Sequence, residues 1–233
     1  MELLTLFIGN SHTYLHYMPQ MLAGMVHASD KGTRLQVEQS VGQRVSLEWH
    51  WHNPGTRELL AARRWDYVVL QDRSGGPLEN RPSFETHARL LDAEIRQQGG
   101  RTVFYMTWAD RSKPETQAAL AEAYETISRD LGAMLCPVGL AWQRALRLNP
   151  ALQLHHADGR HASPAGSYLA ACVLYAVILR ASPVGLPRSF DIQGKSRPDL
   201  SQEVAASLQQ AAWDTIIDNR RERYVEHDQG GHF

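Results

Sequence analysis

Residues 3–13 read Leu-Leu-Thr-Leu-Phe-Ile-Gly-Asn-Ser-His-Thr, and this stretch decides how the rest of the chain is interpreted. An apolar, β-prone run of strand length ends at Gly9, a short polar turn follows, and a helical pattern begins near Tyr14. The pattern predicts a strand, a tight turn and a helix, with Ser11 in the turn. Open α/β sheets bind ligands at the carboxyl ends of their strands, where Ser11 would project. A serine that only caps the helix would give the same pattern.

A second stretch, residues 154–167, reads Leu-His-His-Ala-Asp-Gly-Arg-His-Ala-Ser-Pro-Ala-Gly-Ser. Ser163 followed by Pro164 is typical of a helix start, so Asp158 and His161 are expected in the loop just before a helix. Three residues apart in a glycine-containing loop, the carboxylate can turn back onto the imidazole. A nucleophilic serine needs a base for its proton and a group that orients the base, and Ser11, His161 and Asp158 supply these three types.

These two motifs, Ile8-Gly-Asn-Ser-His-Thr13 and Asp158-Gly-Arg-His161, resemble those of the SGNH (GDSL-like) hydrolases. In that family the serine follows the first strand, and an Asp-x-x-His pair precedes the last helix. The resemblance covers roughly residues 3–179. It implies a flavodoxin-like three-layer α/β/α sandwich with a five-stranded parallel sheet in the order 2-1-3-4-5. The residue pattern agrees, because five strand-like segments alternate with helical ones along the chain.

The resemblance also implies an oxyanion hole, the group of donors that stabilises the negative charge of the transition state. Its expected donors are the N–H groups of Ser11 and of a loop glycine, for which Gly42 is the available residue. Any backbone N–H from Gly42 to Val45 could serve instead. Many family members carry a Gly-x-Asn-Asp motif after the third strand; here Gln71 stands at that point, and its amide would be the equivalent donor. The alternative is that Gln71 only ties down the loop.

Three further residues, Asn10, Trp51 and Trp108, are expected to contact the substrate. By analogy with carbohydrate esterase-like branches of the family, the substrate would carry a small acyl group such as acetyl, on a sugar or glycoside. Hydrolysis of a carboxylic ester through an acyl-enzyme is the favoured reaction. Two alternatives stay open: acyl transfer by the same triad, and a non-catalytic glycan-binding or assembly module.

His50-Trp51-His52 invites a metal interpretation, because alternate residues on a strand share a face. No third ligand is evident from the spacing, so aromatic pocket lining or ordinary packing is preferred and no metal is expected. No cofactor is expected either, since no glycine-rich phosphate loop follows the first strand.

The bulk composition is that of an ordinary globular protein. The chain has 233 residues, 43% hydrophobic and 21% charged, with a formal net charge of −1. This balance indicates no nucleic-acid partner, and no apolar run is long enough to span a membrane. The N-terminus lacks the features of a signal peptide, so the chain as given is expected to be cytoplasmic. The two cysteines, Cys136 and Cys172, are expected to be buried thiols.

The expected organisation is a catalytic domain over residues 1–180 and a C-terminal extension over residues 181–233. Residues 181–197 are rich in proline, glycine and serine and are expected to form an irregular surface segment. A helix is expected over residues 199–223, packed on the same domain or at the interface of a homo-oligomer.

Overall fold

The computed structural model describes residues 1–29 and 32–229, with side chains through residue 219. A turn that includes Lys31 and a disordered end at residues 229–233 were predicted from the sequence; Lys31 and residues 230–233 lie outside the described residues.

The centre of the structure is a five-stranded parallel sheet. Its strands are β1 (Glu2–Gly9), β2 (Arg34–Val41), β3 (Tyr67–Leu70), β4 (Arg101–Tyr105) and β5 (Met134–Cys136). The spatial order is β2-β1-β3-β4-β5, as the sequence predicted. All four pairings are parallel. The order reverses beside β1, so the residue after β1 lies at the topological switch point of the sheet.

The two faces of the sheet are buried under separate hydrophobic cores. Along β1, Phe7 points into one core while Leu6 and Ile8 point into the other, and all three are fully buried. This alternation explains why three consecutive residues of the strand are apolar. The first core is covered by helices α2 (Met18–Ser29), α8 (Val138–Leu148), α9 (Pro164–Ile178) and α10 (Gln202–Gln229). The second is covered by α3 (Leu47–His52), α4 (Pro54–Ala61), α6 (Arg81–Gln97) and α7 (Gln117–Leu131).

The helix predicted to follow Ser11 is divided in two. A short helix α1 (Ser11–Tyr14) is followed by a 3₁₀ turn (Leu15–Tyr17) before α2 begins. Pro19 has no N–H for the Leu15 carbonyl, which prevents one continuous helix. His16 and Tyr17 adopt left-handed φ angles of 55° and 59° at the break. The Leu15 carbonyl accepts a hydrogen bond from Ser167 Oγ of α9 instead, at 3.4 Å.

The C-terminal segment differs from its prediction in one respect. Residues 181–197 contain a small antiparallel hairpin, β6 (Phe190–Ile192) and β7 (Lys195–Arg197), in place of wholly irregular structure. Helix α10 contributes Leu208, Ala211 and Ile216 to the first core, where they are buried with α9. A further short helix, α5 (Gly76–Glu79), follows β3. No helix within the described residues has the length and apolarity needed to cross a membrane.

Candidate active site

Ser11 is held by a tight turn directly after β1. Asn10 caps α1 with its Oδ1, which accepts the His12 N–H at 3.1 Å, while its Nδ2 donates to the Val45 carbonyl at 3.0 Å. A Cβ on Gly9 would lie 2.5 Å from Thr13 Oγ1. Only glycine therefore allows the chain to turn this closely at the end of the strand.

Asp158 and His161 lie in a compact loop before α9. The His156 N–H donates to the His161 carbonyl at 2.7 Å, which closes the loop. Gly159 at its tip has a φ of +72°, a left-handed conformation that favours glycine. The loop ends where Ser163 caps α9 by accepting the Gly166 N–H at 3.1 Å, the helix start that the sequence predicted.

The two regions meet in one chain of hydrogen bonds. Ser11 Oγ lies 2.9 Å from His161 Nε2, and His161 Nδ1 lies 2.6 Å from Asp158 Oδ2. Because a carboxylate only accepts, Nδ1 carries the imidazole proton and Nε2 is left to accept the serine proton. Residues 150 positions apart in sequence are thus placed in direct contact.

The Asp158 carboxylate is also bound to the backbone of its own loop. Its Oδ1 accepts the N–H groups of Arg160 at 2.9 Å and of His161 at 3.0 Å. Burial raises the pKa of the Asp158 carboxyl, but the hydrogen bonds from the imidazole and from the two N–H groups outweigh this and hold the pKa well below its ordinary value. Asp158 is therefore ionised at neutral pH and can balance a positive charge on His161.

His12 forms the floor beside His161. Its ring lies 5.3 Å from the His161 ring and 5.1 Å from that of Trp108. Desolvation by burial, with a smaller contribution from His161, lowers the pKa of His12 to about 3. His12 is therefore neutral at physiological pH and adds no positive charge beside His161. Sequence reasoning gave His12 no role, since its burial is a property of the tertiary structure.

Ser11 and His161 open onto a cavity of about 440 Å³. Of the predicted substrate-contacting residues, Asn10 and Trp108 line it. Trp108 is almost fully buried; its Nε1–H donates to the Arg160 carbonyl at 2.9 Å and its ring stacks on Trp142 at 4.1 Å. It forms a fixed wall of the cavity.

The structure does not bring Gln71 into this cavity. Its side chain is fully buried, and its Oε1 accepts the Asn10 N–H at 3.0 Å and the Thr13 hydroxyl at 2.9 Å. The backbone N–H of Asn10 can only donate, which fixes the amide with its oxygen toward the turn. The prediction of Gln71 as an oxyanion donor is wrong for this geometry, and the alternative that it ties down the loop describes what it does.

The backbone N–H of Gly42 does not face the cavity as a free donor either. Its N–H donates to the Gly9 carbonyl at 3.3 Å, extending the pairing of β1 with β2 beyond the last strand residue. The prediction of Gly42 as an oxyanion donor is therefore wrong as well. Arg44, two residues later, lines the cavity, and its loop is attached to Asn10 through the Val45 carbonyl.

The His50-Trp51-His52 segment is a helix, α3, so its two histidines do not share a strand face. His50 is fully buried, and its Nε2–H donates to the Gly9 carbonyl at 2.9 Å, while Nδ1 lies 3.0 Å from Thr56 Oγ1. The structure does not bring Trp51 to the cavity beside Ser11; its ring packs under the Arg57 guanidinium at 3.8 Å. Among the described residues, no three His, Cys, Asp or Glu side chains form a metal-binding group.

The cavity also carries charged side chains, to most of which sequence reasoning gave no role. They belong to the segments that follow β2, β3 and β4, including α5, and to the loop before α9: Arg44, Arg73, Glu79, Asp110, Lys113 and Arg160. Their positions after the strands are the signal that could have found them, since these loops meet at one edge of the sheet.

Comparison with known proteins supports the fold assignment. No family model and no curated protein matches the sequence. Among solved structures, a candidate SGNH hydrolase from Slackia heliotrinireducens is 29% identical, with a TM-score of 0.65 over 76% of this chain and 100% of that chain. A DUF4886 family protein from Bacteroides uniformis is 19% identical, with a TM-score of 0.78 over 93% of this chain and 95% of that one.

An acetyl xylan esterase from Geobacillus stearothermophilus is 14% identical, with a TM-score of 0.57 over 76% of this chain and 93% of that chain. The structural neighbours thus include SGNH/GDSL-like hydrolases and esterases. The chain adopts the SGNH (GDSL-like) hydrolase fold, as its two motifs predicted.

Proposed function

We propose that this protein is an esterase that hydrolyses a carboxylic ester through an acyl-enzyme. Ser11 is the nucleophile, His161 the general base and Asp158 the group that orients the imidazole. The observation that carries the proposal is the continuous hydrogen-bond chain from Ser11 Oγ through His161 to Asp158, at 2.9 Å and 2.6 Å, beside an open cavity.

In this reaction Ser11 Oγ attacks the ester carbonyl while His161 Nε2 takes the hydroxyl proton. The tetrahedral intermediate collapses, the C–O bond to the alcohol breaks, and His161 returns its proton to the leaving alkoxide. Water then attacks the acyl-serine, again giving a proton to His161, and the carboxylic acid leaves as Ser11 recovers its proton. The Asp158 carboxylate stabilises the imidazolium in both halves of the cycle.

The N–H of Ser11 is one proposed donor to the oxyanion. Since Gln71 and Gly42 are engaged elsewhere, we assign the second donor to a backbone N–H of residues 43–45, the other donors available in this loop. Two observations support this: Arg44 lines the cavity, and Asn10 holds the loop through Val45. Loss of one such donor typically costs about 10²–10³ in rate.

The proposed substrate is a small-molecule or carbohydrate ester with a short acyl group such as acetyl. Trp108 closes one wall of the cavity beside the buried His12, which favours a short acyl chain. The similarity of the fold to an acetyl xylan esterase supports the carbohydrate part by analogy.

The test is intact-mass analysis after treatment with an organophosphonate probe. The wild-type protein should gain one phosphonyl adduct, and Ser11→Ala should gain none while keeping the wild-type melting temperature. Ser74→Ala is the matched control, because Ser74 lines the same cavity and no imidazole among the described residues contacts its hydroxyl; it should still be labelled. Equal labelling of the wild type and a folded Ser11→Ala protein would remove Ser11 from the mechanism.

A further inference from the structure

Four cationic side chains line the cavity, and two of them are paired with a carboxylate. Arg73 pairs with Glu79 at 2.6 Å, and Arg160 pairs with Asp110 at 3.2 Å. Within the described part of the chain, the side chains of the two other lining cations, Arg44 and Lys113, have no carboxylate partner. The whole chain has 24 Lys and Arg against 25 Asp and Glu, so this positive excess is local to the cavity.

Arg44 is presented by a fixed loop. It has a left-handed φ of 57°, a conformation that few non-glycine residues adopt. The loop is attached on one side by the Asn10 Nδ2 bond to the Val45 carbonyl at 3.0 Å and on the other by the Leu47 N–H bond to Asp72 Oδ1 at 2.9 Å. The backbone of Arg44 is thereby fixed relative to the residue that precedes Ser11, and its exposed side chain is free to bind a ligand.

Lys113 belongs to the loop on the β4 side of the same cavity. Its N–H donates to the Asp110 carbonyl at 2.9 Å, and the Asp110 carboxylate holds Arg160, the residue before His161. The Arg111 N–H donates to the Gly159 carbonyl at 2.8 Å, which links this loop to the one that carries Asp158 and His161. Both unpaired cations thus lie on loops attached to the proposed catalytic residues.

We propose that the substrate is an ester that carries an oxyanion, a carboxylate or a phosphate, outside its scissile ester group, and that Arg44 and Lys113 select it. This inference rests on the proposed function and specifies its substrate class. Two cations lining one concave site raise the local concentration of anions, and a guanidinium binds a carboxylate or phosphate with two hydrogen bonds. The strand order places β2 and β4 on opposite sides of β1 and β3, so the two cations belong to loops on opposite sides of the switch point.

The direct test measures binding without turnover, in Ser11→Ala protein. Calorimetric titration would compare 4-acetoxybenzoate, 4-acetoxyphenyl phosphate and the uncharged methyl ester of 4-acetoxybenzoate. At least one of the two anions should bind about tenfold more tightly than the methyl ester. This advantage should shrink as NaCl is raised from about 10 mM to about 500 mM, because screening weakens exposed charge interactions. The carboxylate and phosphate arms show which oxyanion the site prefers.

Arg44→Gln and Lys113→Gln, each made in the Ser11→Ala protein, should reduce the advantage of the anion by roughly three- to tenfold. Arg101→Gln is the matched control, since Arg101 is an exposed arginine at the amino end of β4, the end away from the loop that carries Lys113; it should leave the advantage of the anion unchanged. Equal affinity for anions and methyl ester, no affinity for any of them, or an advantage that survives both substitutions would overturn the proposal.

Failure of this inference is distinguishable from failure of the proposed function. A protein that is labelled at Ser11 and hydrolyses the methyl ester, but binds anions no better, remains an esterase and loses only the anion selectivity. A protein that binds the anions through Arg44 and Lys113 but takes no label at Ser11 keeps the selectivity and loses the esterase assignment.

Discussion

Asp158 contacts His161 twice, through different oxygens. Its Oδ2 lies 2.6 Å from the imidazole Nδ1, and its Oδ1 lies 3.0 Å from the backbone N of the same residue. One carboxylate therefore both shapes the loop and orients the ring. These two tasks can be separated experimentally because a different oxygen performs each.

Asp158→Asn should preserve the conformation of the loop and strongly reduce kcat. The amide oxygen can still accept the backbone N–H groups, but its NH₂ would face Nδ1 and favour the tautomer whose Nε2 already carries a proton. We expect kcat on short-chain p-nitrophenyl esters to fall about 10³–10⁴-fold, with little change in melting temperature.

Asp158→Ala, by contrast, should also lower the free energy of unfolding, by about 0.5–2 kcal/mol, because the backbone N–H groups lose their acceptor. Steady-state rates and thermal melts of both variants separate the role of Asp158 in catalysis from its role in holding the loop. A normal kcat in a folded Asp158→Asn protein would exclude Asp158 from the triad.

Gln71→Ala should lower the free energy of unfolding. The substitution leaves the buried Asn10 N–H and the Thr13 hydroxyl without their shared acceptor, so we expect the free energy of unfolding to fall by about 1–3 kcal/mol. Thr13→Val removes only one of these donors and should cost less. Urea unfolding measures both; unchanged stability of Gln71→Ala with a strongly reduced kcat would instead assign Gln71 to the oxyanion hole.

His50 should make the protein sensitive to acid. Burial lowers the pKa of His50 from 6.5 to about 4, so between these values the unfolded chain binds a proton that the folded protein does not. The stabilisation is complete above pH 6.5 and is lost as the pH falls toward 4, amounting to about 3 kcal/mol at most.

Asp72 has the opposite effect, because burial raises its pKa from 3.8 to about 6 and stability is then lost as the pH rises through that range. The free energy of unfolding is therefore measured by urea unfolding from pH 4 to 6.5, and its pH dependence is compared between each variant and the wild type. His50→Gln should show a shallower gain with pH than the wild type, and His52→Gln, an exposed neighbour on α3, should follow the wild type. Parallel profiles for His50→Gln and wild type would contradict this assignment.

Gly9→Ala should displace the turn that carries Ser11. The new methyl group would lie 2.5 Å from Thr13 Oγ1 and 2.7 Å from Gln71 Oε1, so the turn or these two side chains must shift. We expect a loss of about 1–3 kcal/mol in the free energy of unfolding together with a lower kcat. Thr13→Ala removes the nearer obstacle and should partly restore both in the double variant, as a double-mutant cycle would show. Full stability and activity of Gly9→Ala alone would mean that the turn tolerates a side chain.

Most of the fold could be predicted from the sequence because strand and helix patterns are local. The mostly apolar β1 and the Ser163-Pro164 helix start both depend on neighbours in the chain, and both are found where they were predicted. The errors arose where a local pattern has two solutions: the helix predicted to begin near Tyr14 is broken before Pro19, and residues 50–52 are helical rather than extended.

For the site, the sequence by itself determined the chemical groups and the tertiary structure decided which of them meet. Ser11, Asp158 and His161 were identifiable because each occupies a local motif at a strand end or a helix start. The burial of Gln71 and the approach of Arg44 and Lys113 to one cavity depend on loops from different strands, whose relative positions no local pattern encodes. Side-chain direction and charge pairing are set by packing between segments distant in sequence, and only the folded chain brings those segments together.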